Sequence, residues 1–305
     1  IHKLSLSGIG SKMMTKIINY HKELKLGSDE TKVKDRDLRI LSLGAGVQSS
    51  VLLLKILQEE IEPVDYAIFA DTGNEPEKVY KWLHYLEDLV ADKIQIIRVK
   101  NNDNNGDIVE DILSESGRFA SIPTFLKNAD GSQGLTRRTC TFEYKIKPIQ
   151  RKVREILGVN NLRGKHVEMV MGISYDEIQR VTAPTTKWQV NCYPFVEEKI
   201  TRHQCHEWMI NNGYKEAPRS ACIICPYHSN KEWDKMKRNN PNEFKIAVAF
   251  DEELRKSNTS QFVNKLDGEI YLHRSLIPLK DINFKQHENP QYSLFDDECS
   301  GMCGV

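Results

Sequence analysis

Seven cysteines, one small-residue turn and one basic run carry most of the reactive chemistry in this 305-residue chain. The cysteines are Cys140, Cys192, Cys205, Cys222, Cys225, Cys299 and Cys303. An odd number sits badly with a closed disulfide framework. Cys222-Ile223-Ile224-Cys225-Pro226 is a C-x-x-C, a spacing shared by zinc sites, redox dithiols and iron–sulfur clusters. His203, His206 and His228 lie near enough in sequence to keep zinc open, and simple buried thiols are the third reading. Cys192 precedes the extended run Tyr193-Pro194-Phe195, which suits a thiol packed in the core. Cys299 and Cys303 belong to a glycine-containing polar tail that could swing a thiolate onto a sulfur centre. The preceding Asp296, Asp297 and Glu298 act against that by raising the thiol pKa.

The turn Gly44-Ala45-Gly46-Val47-Gln48-Ser49-Ser50 follows the apolar strand 39–43 and precedes a helix expected over 51–60. At the carboxyl end of a parallel strand, such a turn faces an anion with backbone N–H groups and the positive end of a helix dipole. Small residues allow close approach, and Ser49 and Ser50 add hydroxyl donors. The turn lacks the lysine of GxxxxGK[ST] and the third glycine of GxGxxG. Asp71-Thr72-Gly73 ends a second apolar strand, 64–70, and adds a carboxylate and a hydroxyl beside the same crevice. Between Arg137 and Arg154 stand seven cations, Arg137, Arg138, Lys145, Lys147, Arg151, Lys152 and Arg154, against the single acid Glu143. Arg151, Lys152 and Arg154 suit a solvated helix face. Arg137, Arg138 and Lys145 precede or open the helix and suit a phosphate or sulfate.

These elements fall in an order that specifies a fold. A helix over 76–90, a strand over 93–99, a helix over 146–157 and a strand over 168–173 extend the alternation into a parallel α/β sheet. Beyond about residue 190 the rhythm stops, and helices are expected over 201–211, 230–237 and 242–256 with the cysteines threaded between them. The resulting division is an N-terminal helix and linker, 1–37; a nucleotide-binding α/β domain, 38–190; a helical cysteine-containing region, 191–277; and a flexible tail, 278–305.

Four segments resemble the PP-loop, or adenine-nucleotide alpha-hydrolase-like (HUP), superfamily, and within it the phosphoadenosine phosphosulfate reductase-like branch. The family loop SGGxDS falls on Gly44-Ala45-Gly46-Val47-Gln48-Ser49, with Gly44 for the first serine, Ala45 for a glycine and Gln48 for the aspartate. Phe69 to Glu75 resembles the second-strand motif, and Arg138 to Pro148 the R-x-C-x(4)-K-x-x-P segment. Gly172-Ile173-Ser174-Tyr175-Asp176-Glu177, with Arg180, resembles a later loop. The C-terminal ECGLH signature of sulfonucleotide reductases is absent.

The resemblance implies a Rossmann-like parallel sheet binding an adenine nucleotide, ATP or adenylyl sulfate, with Mg2+. Its binding residues would be Gly44, Ala45, Gly46, Gln48, Ser49, Ser50, Asp71, Thr72, Gly73, Arg138, Lys145, Gly172 and Arg180. Cys140 matches a cysteine of cluster-containing relatives, and the C-x-x-C matches their second pair. Those relatives often carry a doubled cysteine where this chain has only Arg138-Thr139-Cys140, so a fourth ligand must come from elsewhere, and Cys205 is chosen over Cys192. Cys140, Cys205, Cys222 and Cys225 are then the expected ligands of a [4Fe–4S] cluster, or of Zn2+. The implied activity is an ATP pyrophosphatase that adenylates an acceptor for sulfur transfer. A sulfonucleotide reductase using Cys299 or Cys303 is the alternative, and a regulator without turnover the third. A sulfur donor, a thioredoxin-like reductant and a nucleic-acid acceptor are the partners left open.

Lys+Arg and Asp+Glu both number 43, so the formal net charge is zero, which excludes a strongly basic nucleic-acid coat but not a local patch. No apolar run approaches the ~18 residues of a membrane span, and no secretory leader is legible, so a cytoplasmic protein is expected.

Overall fold

The computed structural model describes residues 36–103, 105–114, 121–184, 186–256, 266 and 268–285. The expected N-terminal helix lies outside the described residues, as do Cys299 and Cys303. Eight strands are described: β1 Leu38–Leu43, β2 Tyr66–Asp71, β3 Ile96–Lys100, β4 Phe125–Asn128, β5 Gln133–Leu135, β6 Val167–Met171, β7 Gln189–Cys192 and β8 Gly268–Tyr271. The α-helices are α1 Val47–Leu57, α2 Glu77–Val90, α3 Ile108–Leu113, α4 Lys147–Ile156, the single turn α5 Pro194–Glu197, α6 Arg202–Asn211, α7 Asn230–Asn239 and α8 Pro241–Lys256.

Five strands form one parallel sheet in the order β3-β2-β1-β6-β7. The chain therefore winds outward from β1 to β3, then returns to the other side of β1 for β6 and β7. This is an α/β, Rossmann-like arrangement with its switch point between β1 and β6. Period-two alternation sorts the side chains of the central strands into two cores. Leu41, Leu43, Ala67, Phe69 and Val170 point toward α1, α2 and α6. Leu38, Ile40, Ile68, Ala70, Val167, Met169 and Met171 point toward α4. Burial on both faces explains why β1 and β2 read as mostly apolar runs.

A third core joins distant parts of the sequence. Ile108, Ile112, Ile122 and Tyr144 pack with Ile223, Ile224, Trp233, Phe250 and Leu254. The small antiparallel sheet β5-β4-β8 belongs to this body. Residues from the span read as nucleotide-binding thus share a core with the helical region. The packing also continues past residue 278, where the sequence suggested a loose tail: Leu279, Ile282 and Phe284 are buried. Buried Asp251 on α8 holds this segment by accepting the backbone N–H of Leu272 at 3.0 Å and of Leu279 at 2.9 Å.

The alternation expected to stop near 190 instead delivers one more parallel strand, β7, paired with β6 from Val167↔Gln189 to Val170↔Cys192. The first helix starts at Val47 rather than at residue 51. Its N-terminal turn is drawn inward because Ala45 adopts a left-handed conformation (φ +52°), reversing the chain within two residues of β1.

Candidate functional site

The turn after β1 supplies the floor of the site. The helix-preceding Gly46 gives α1 no side-chain cap, and the first turn contains no acid, so N–H groups of that turn are available to an anion. Ala45 stands where the resembled loop has glycine, and it is fully buried. A non-glycine residue in that conformation costs about 1–2 kcal/mol, offset here by the packing around it.

The hydroxyls expected to serve as ligand donors have structural partners. Ser49 Oγ accepts from Gly44 N at 3.2 Å and donates to Gly46 O at 3.3 Å, closing the loop on itself. Ser50 Oγ, fully buried, accepts from Trp82 Nε1 on α2 at 2.8 Å. Gln48 Nε2 donates to Glu177 Oε2 at 3.0 Å and to Ser174 Oγ at 3.4 Å, linking the β1 turn to the loop after β6. Gly172 lies at this junction, where any Cβ would fall 2.7 Å from both the N and Cα of Ser49.

Two cavities meet above the turn. The first is largely apolar and runs along the carboxyl ends of β1, β2, β6 and β7, between Phe69, Ile149, Met169, Met171 and Trp188. Asn191 and Gln189 supply polar groups at its far end. The second is polar and lined by residues 46–49, Gly172, Glu177 and four cations: Lys145, Arg180, Arg202 and Arg219. Ser42, Gly44 and Lys145 line both cavities. The sheet therefore ends in an apolar slot joined to a cationic cradle.

Glu177 is the one acid lining the cradle. Its Oε2 accepts from Arg180 Nη1 at 2.6 Å, while its buried Oε1 has no hydrogen-bond partner. Lys145 projects from a π-helical turn, Phe142–Ile146, that runs directly into α4. The turn's extra residue aims Lys145 toward the crevice rather than along the solvated face of α4.

Four expected ligand residues, Asp71, Thr72, Gly73 and Arg138, lie elsewhere. Asp71 Oδ1 accepts from Gly73 N at 2.9 Å and from Tyr80 OH at 2.7 Å, shaping the β2 turn. Gly73 has φ +77°, and a Cβ there would meet Asp107 at 2.8 Å, so its requirement is steric. Arg138 donates to Thr141 and lines a third, much smaller cavity with Thr72, Lys145, Cys140, Cys222 and Cys225.

That cavity brings Cys140 to the C-x-x-C across more than eighty positions of sequence. Cys205 does not join them. It is fully buried on α6 in the core shared with α1, and burial pushes its thiol pKa up to about 12. Cys192 is likewise held as a thiol by burial, its pKa also raised to about 12. The cavity has a volume of about 30 Å³, room for one or two waters. Among the described residues, no group of three or more His, Cys, Asp or Glu side chains is placed to bind a metal ion. Cys205 thus lies in a different core from Cys140, Cys222 and Cys225, so the four expected ligands are not brought together. Of the histidines considered for zinc, His228 is buried with its Nε2 on Cys222 O at 2.9 Å, and His203 is exposed beside Glu207.

Cys222 has different neighbours. Its sulfur lies 3.3 Å from Thr72 Oγ1 and 3.8 Å from Glu75 Oε1. Burial raises the carboxyl pKa of Glu75, and Lys145 opposes that shift. Glu75 Oε2 is buried without a hydrogen-bond partner.

Sequence reasoning missed Arg202, Arg219 and the slot residues Trp188, Gln189 and Asn191. Arg202 opens α6 immediately after the capping box of Thr201 and Gln204, and its N–H is fixed on Asp176 at 2.9 Å. The capping pattern locates the helix start but says nothing of the crevice it faces.

Among the described residues, no helix is long and apolar enough to cross a membrane. No family model matches the chain, and no curated protein matches it. Among solved structures, it is similar to phosphoadenylyl-sulfate (PAPS) reductase from Candida auris in its phosphate complex. That likeness has a TM-score of 0.39 and 16% sequence identity, and covers 70% of this chain and 90% of that one.

Proposed function

We propose that the chain is a PP-loop-type enzyme that binds ATP at the carboxyl end of its sheet and transfers the adenylyl group to an acceptor. The observation that carries this reading is the meeting of an apolar slot and a cationic cradle at Gly44 and Lys145, across the switch point. The base would lie between Trp188 and Met169, with Gln189, held by its amide nitrogen on Asn191 Oδ1, toward its polar edge. The phosphates would lie over the N-terminus of α1, and Lys145, Arg180, Arg202 and Arg219 would neutralise them. An acceptor oxygen attacks the α-phosphorus, the bond from that phosphorus to the bridging oxygen breaks, and pyrophosphate leaves into the cationic cradle. Charge stabilisation by preplaced cations at the leaving group is the main term such a site supplies. Mg2+, which the motif resemblance implies, would find Glu177 Oε1 as its carboxylate and would add neutralising charge to the polyphosphate.

A second reading, a sulfonucleotide reductase, draws on the thiols of Cys140, Cys222 and Cys225 gathered on another side of Lys145. Pyrophosphate release from ATP supports the first reading, and thiol-dependent sulfite release from an adenylyl sulfate the second. Gly46→Val provides the control. Gly46 Cβ would stand 3.5 Å from Ser220, so the valine methyls enter the anion cradle. Equal nucleotide affinity in wild type and a folded Gly46→Val protein would count against both.

A further inference from the structure

The backbone that carries the C-x-x-C is fixed independently of its sulfurs. Cys225 N–H donates to Cys222 O at 3.0 Å, and His228 Nε2 lies on the same oxygen at 2.9 Å. Ile223 N–H donates to Asn74 O at 2.8 Å and Ile224 N–H to Asn74 Oδ1 at 3.2 Å, which pins both central residues to the loop after β2. Residues 222–225 are therefore a β-turn closed between its first and last members, with both isoleucines buried.

A β-turn limits how far apart its two cysteines stand. Its first and last Cα atoms lie within about 7 Å of each other. Disulfides span Cα separations of about 4.4–6.8 Å. Cys222 and Cys225 also line one cavity of about 30 Å³. The backbone is thus already close to the separation that a disulfide needs, and the two side chains share one space.

The thiols of the pair are unequal. Cys222 is partly exposed and Cys225 is buried. Cys222 Sγ lies 3.3 Å from Thr72 Oγ1, a hydroxyl that can donate to a thiolate, and 3.8 Å from Glu75 Oε1, which accepts from the S–H form. An accessible sulfur beside a buried one suits an attacking thiol and a resolving thiol. Cys140 lines the same cavity and is partly exposed, but it comes from the segment before the π-helical turn. No shared turn fixes its distance to either partner.

We propose that Cys222 and Cys225 form a redox-active dithiol that exchanges with low-molecular-weight disulfides. The Cys222 thiolate attacks one sulfur of R–S–S–R, whose S–S bond breaks. A Cys222–S–S–R mixed disulfide forms, and the first R–S⁻ leaves. Cys225 then attacks Cys222 Sγ, the second R–S⁻ leaves and the internal disulfide closes. The pair gives up two electrons, the small disulfide takes them, and the two thiol protons end on the two R–SH products. The proposal does not rest on the adenylation reading.

The test equilibrates the 305-residue chain, purified anaerobically, in glutathione buffers of stepped ratio, followed by acid quench, alkylation and tryptic mapping. Cleavage after Arg219 and Lys231 places Cys222 and Cys225 on one peptide, 220–231, and cleavage after Arg138 and Lys145 places Cys140 on another, 139–145. Oxidation is expected to make peptide 220–231 two hydrogens lighter and to remove both its alkylation sites, in wild type and in Cys140→Ser alike, and dithiothreitol restores it. Cys225→Ser is expected to collect glutathione on Cys222, and Cys222→Ser to react at Cys225 at least about tenfold more slowly. Because the turn is already formed, the disulfide is expected to close in the folded protein at a glutathione ratio at least about tenfold less oxidising than in the urea-unfolded chain, about 30 mV for a two-electron couple.

A dithiol that persists in the most oxidising buffer overturns the proposal, as does a crosslink between peptides 220–231 and 139–145. Equal closure in the folded and unfolded chain overturns it too, since the fold then contributes nothing. So does iron or zinc held by Cys222 and Cys225 that has to be chelated before the disulfide forms. ATP affinity of the reduced chain, measured separately, tells failure here from failure of the adenylation reading.

Discussion

Gly172 Cα rests against the backbone of Ser49, so close that a Cβ on residue 172 would lie 2.7 Å from two of its main-chain atoms. The contact seats the loop after β6 on the first turn of α1 and makes one wall of the cradle from two separate stretches of chain. Neither side can yield, because the obstacle is backbone. Gly172→Ala is expected to cost about 1–3 kcal/mol, as overpacking does, and to open the cradle. Denaturant melts and nucleotide titrations check this. A variant with unchanged stability and affinity would show that the contact is slack.

Lys145 should matter more to ligand affinity than Arg138. The two stand in one motif, but Lys145 lines the slot and the cradle, whereas Arg138 faces the cysteine pocket and Thr141. Lys145→Met is expected to weaken nucleotide binding by about 1.5–3 kcal/mol, the range for a charge-assisted hydrogen bond. Arg138→Met should leave affinity within about twofold. Isothermal titration of both variants tests the ranking.

Glu75 sets a pH dependence. Burial raises its folded-state pKa above the ordinary value of 4.5, so the folded protein holds this proton more tightly than the unfolded chain. Its contribution is then fully present below pH 4.5 and is lost as pH rises through the folded pKa. Glu75→Gln keeps the shape and removes the titration. Urea midpoints across pH 4.5–8 are expected to fall less steeply in the variant than in wild type, and parallel profiles would contradict the assignment.

The thiols divide into two reactivity classes. Cys205, raised to about 12, should alkylate slowly in the native state, and Cys205→Ala should cost about 1 kcal/mol as a small core truncation. Cys140 and Cys222 line a cavity and are only partly buried. Native-state alkylation followed by peptide mapping is expected to mark them first. Iron or zinc bound after anaerobic purification and lost specifically in Cys205→Ala would reverse the placement of Cys205 in the core.

The parallel sheet was legible because β1, β2 and β6 are largely buried on both faces and so spell short, mostly apolar runs between turn residues. β7 escaped because Gln189 and Asn191 interrupt its pattern with polar side chains. β4, β5 and β8 are three or four residues long and contain lysine, asparagine, glutamine and glycine, so they show no usable alternation. At the site, the glycines of the β1 turn and Gly172 announced themselves through motif spacing. Arg202, Arg219 and Trp188 did not, because each follows a local signal, such as a helix cap or strand start, that is silent about what lies across the crevice. Counting thiols points to Cys205 as a fourth ligand, but its place on α6 turns it into the core shared with α1.

One ammonium group, that of Lys145, borders the apolar slot, the cradle and the cysteine pocket. Whatever binds in one of these spaces changes the field felt in the other two. Thermodynamic reciprocity then applies: if an anion in the cradle alters proton affinity or thiol chemistry near Glu75 and Cys222, a change of protonation or oxidation there must alter anion affinity by the same factor. The residue that joins the cavities is thus the place to look for such a linkage, measured as anion affinity before and after the thiols are alkylated.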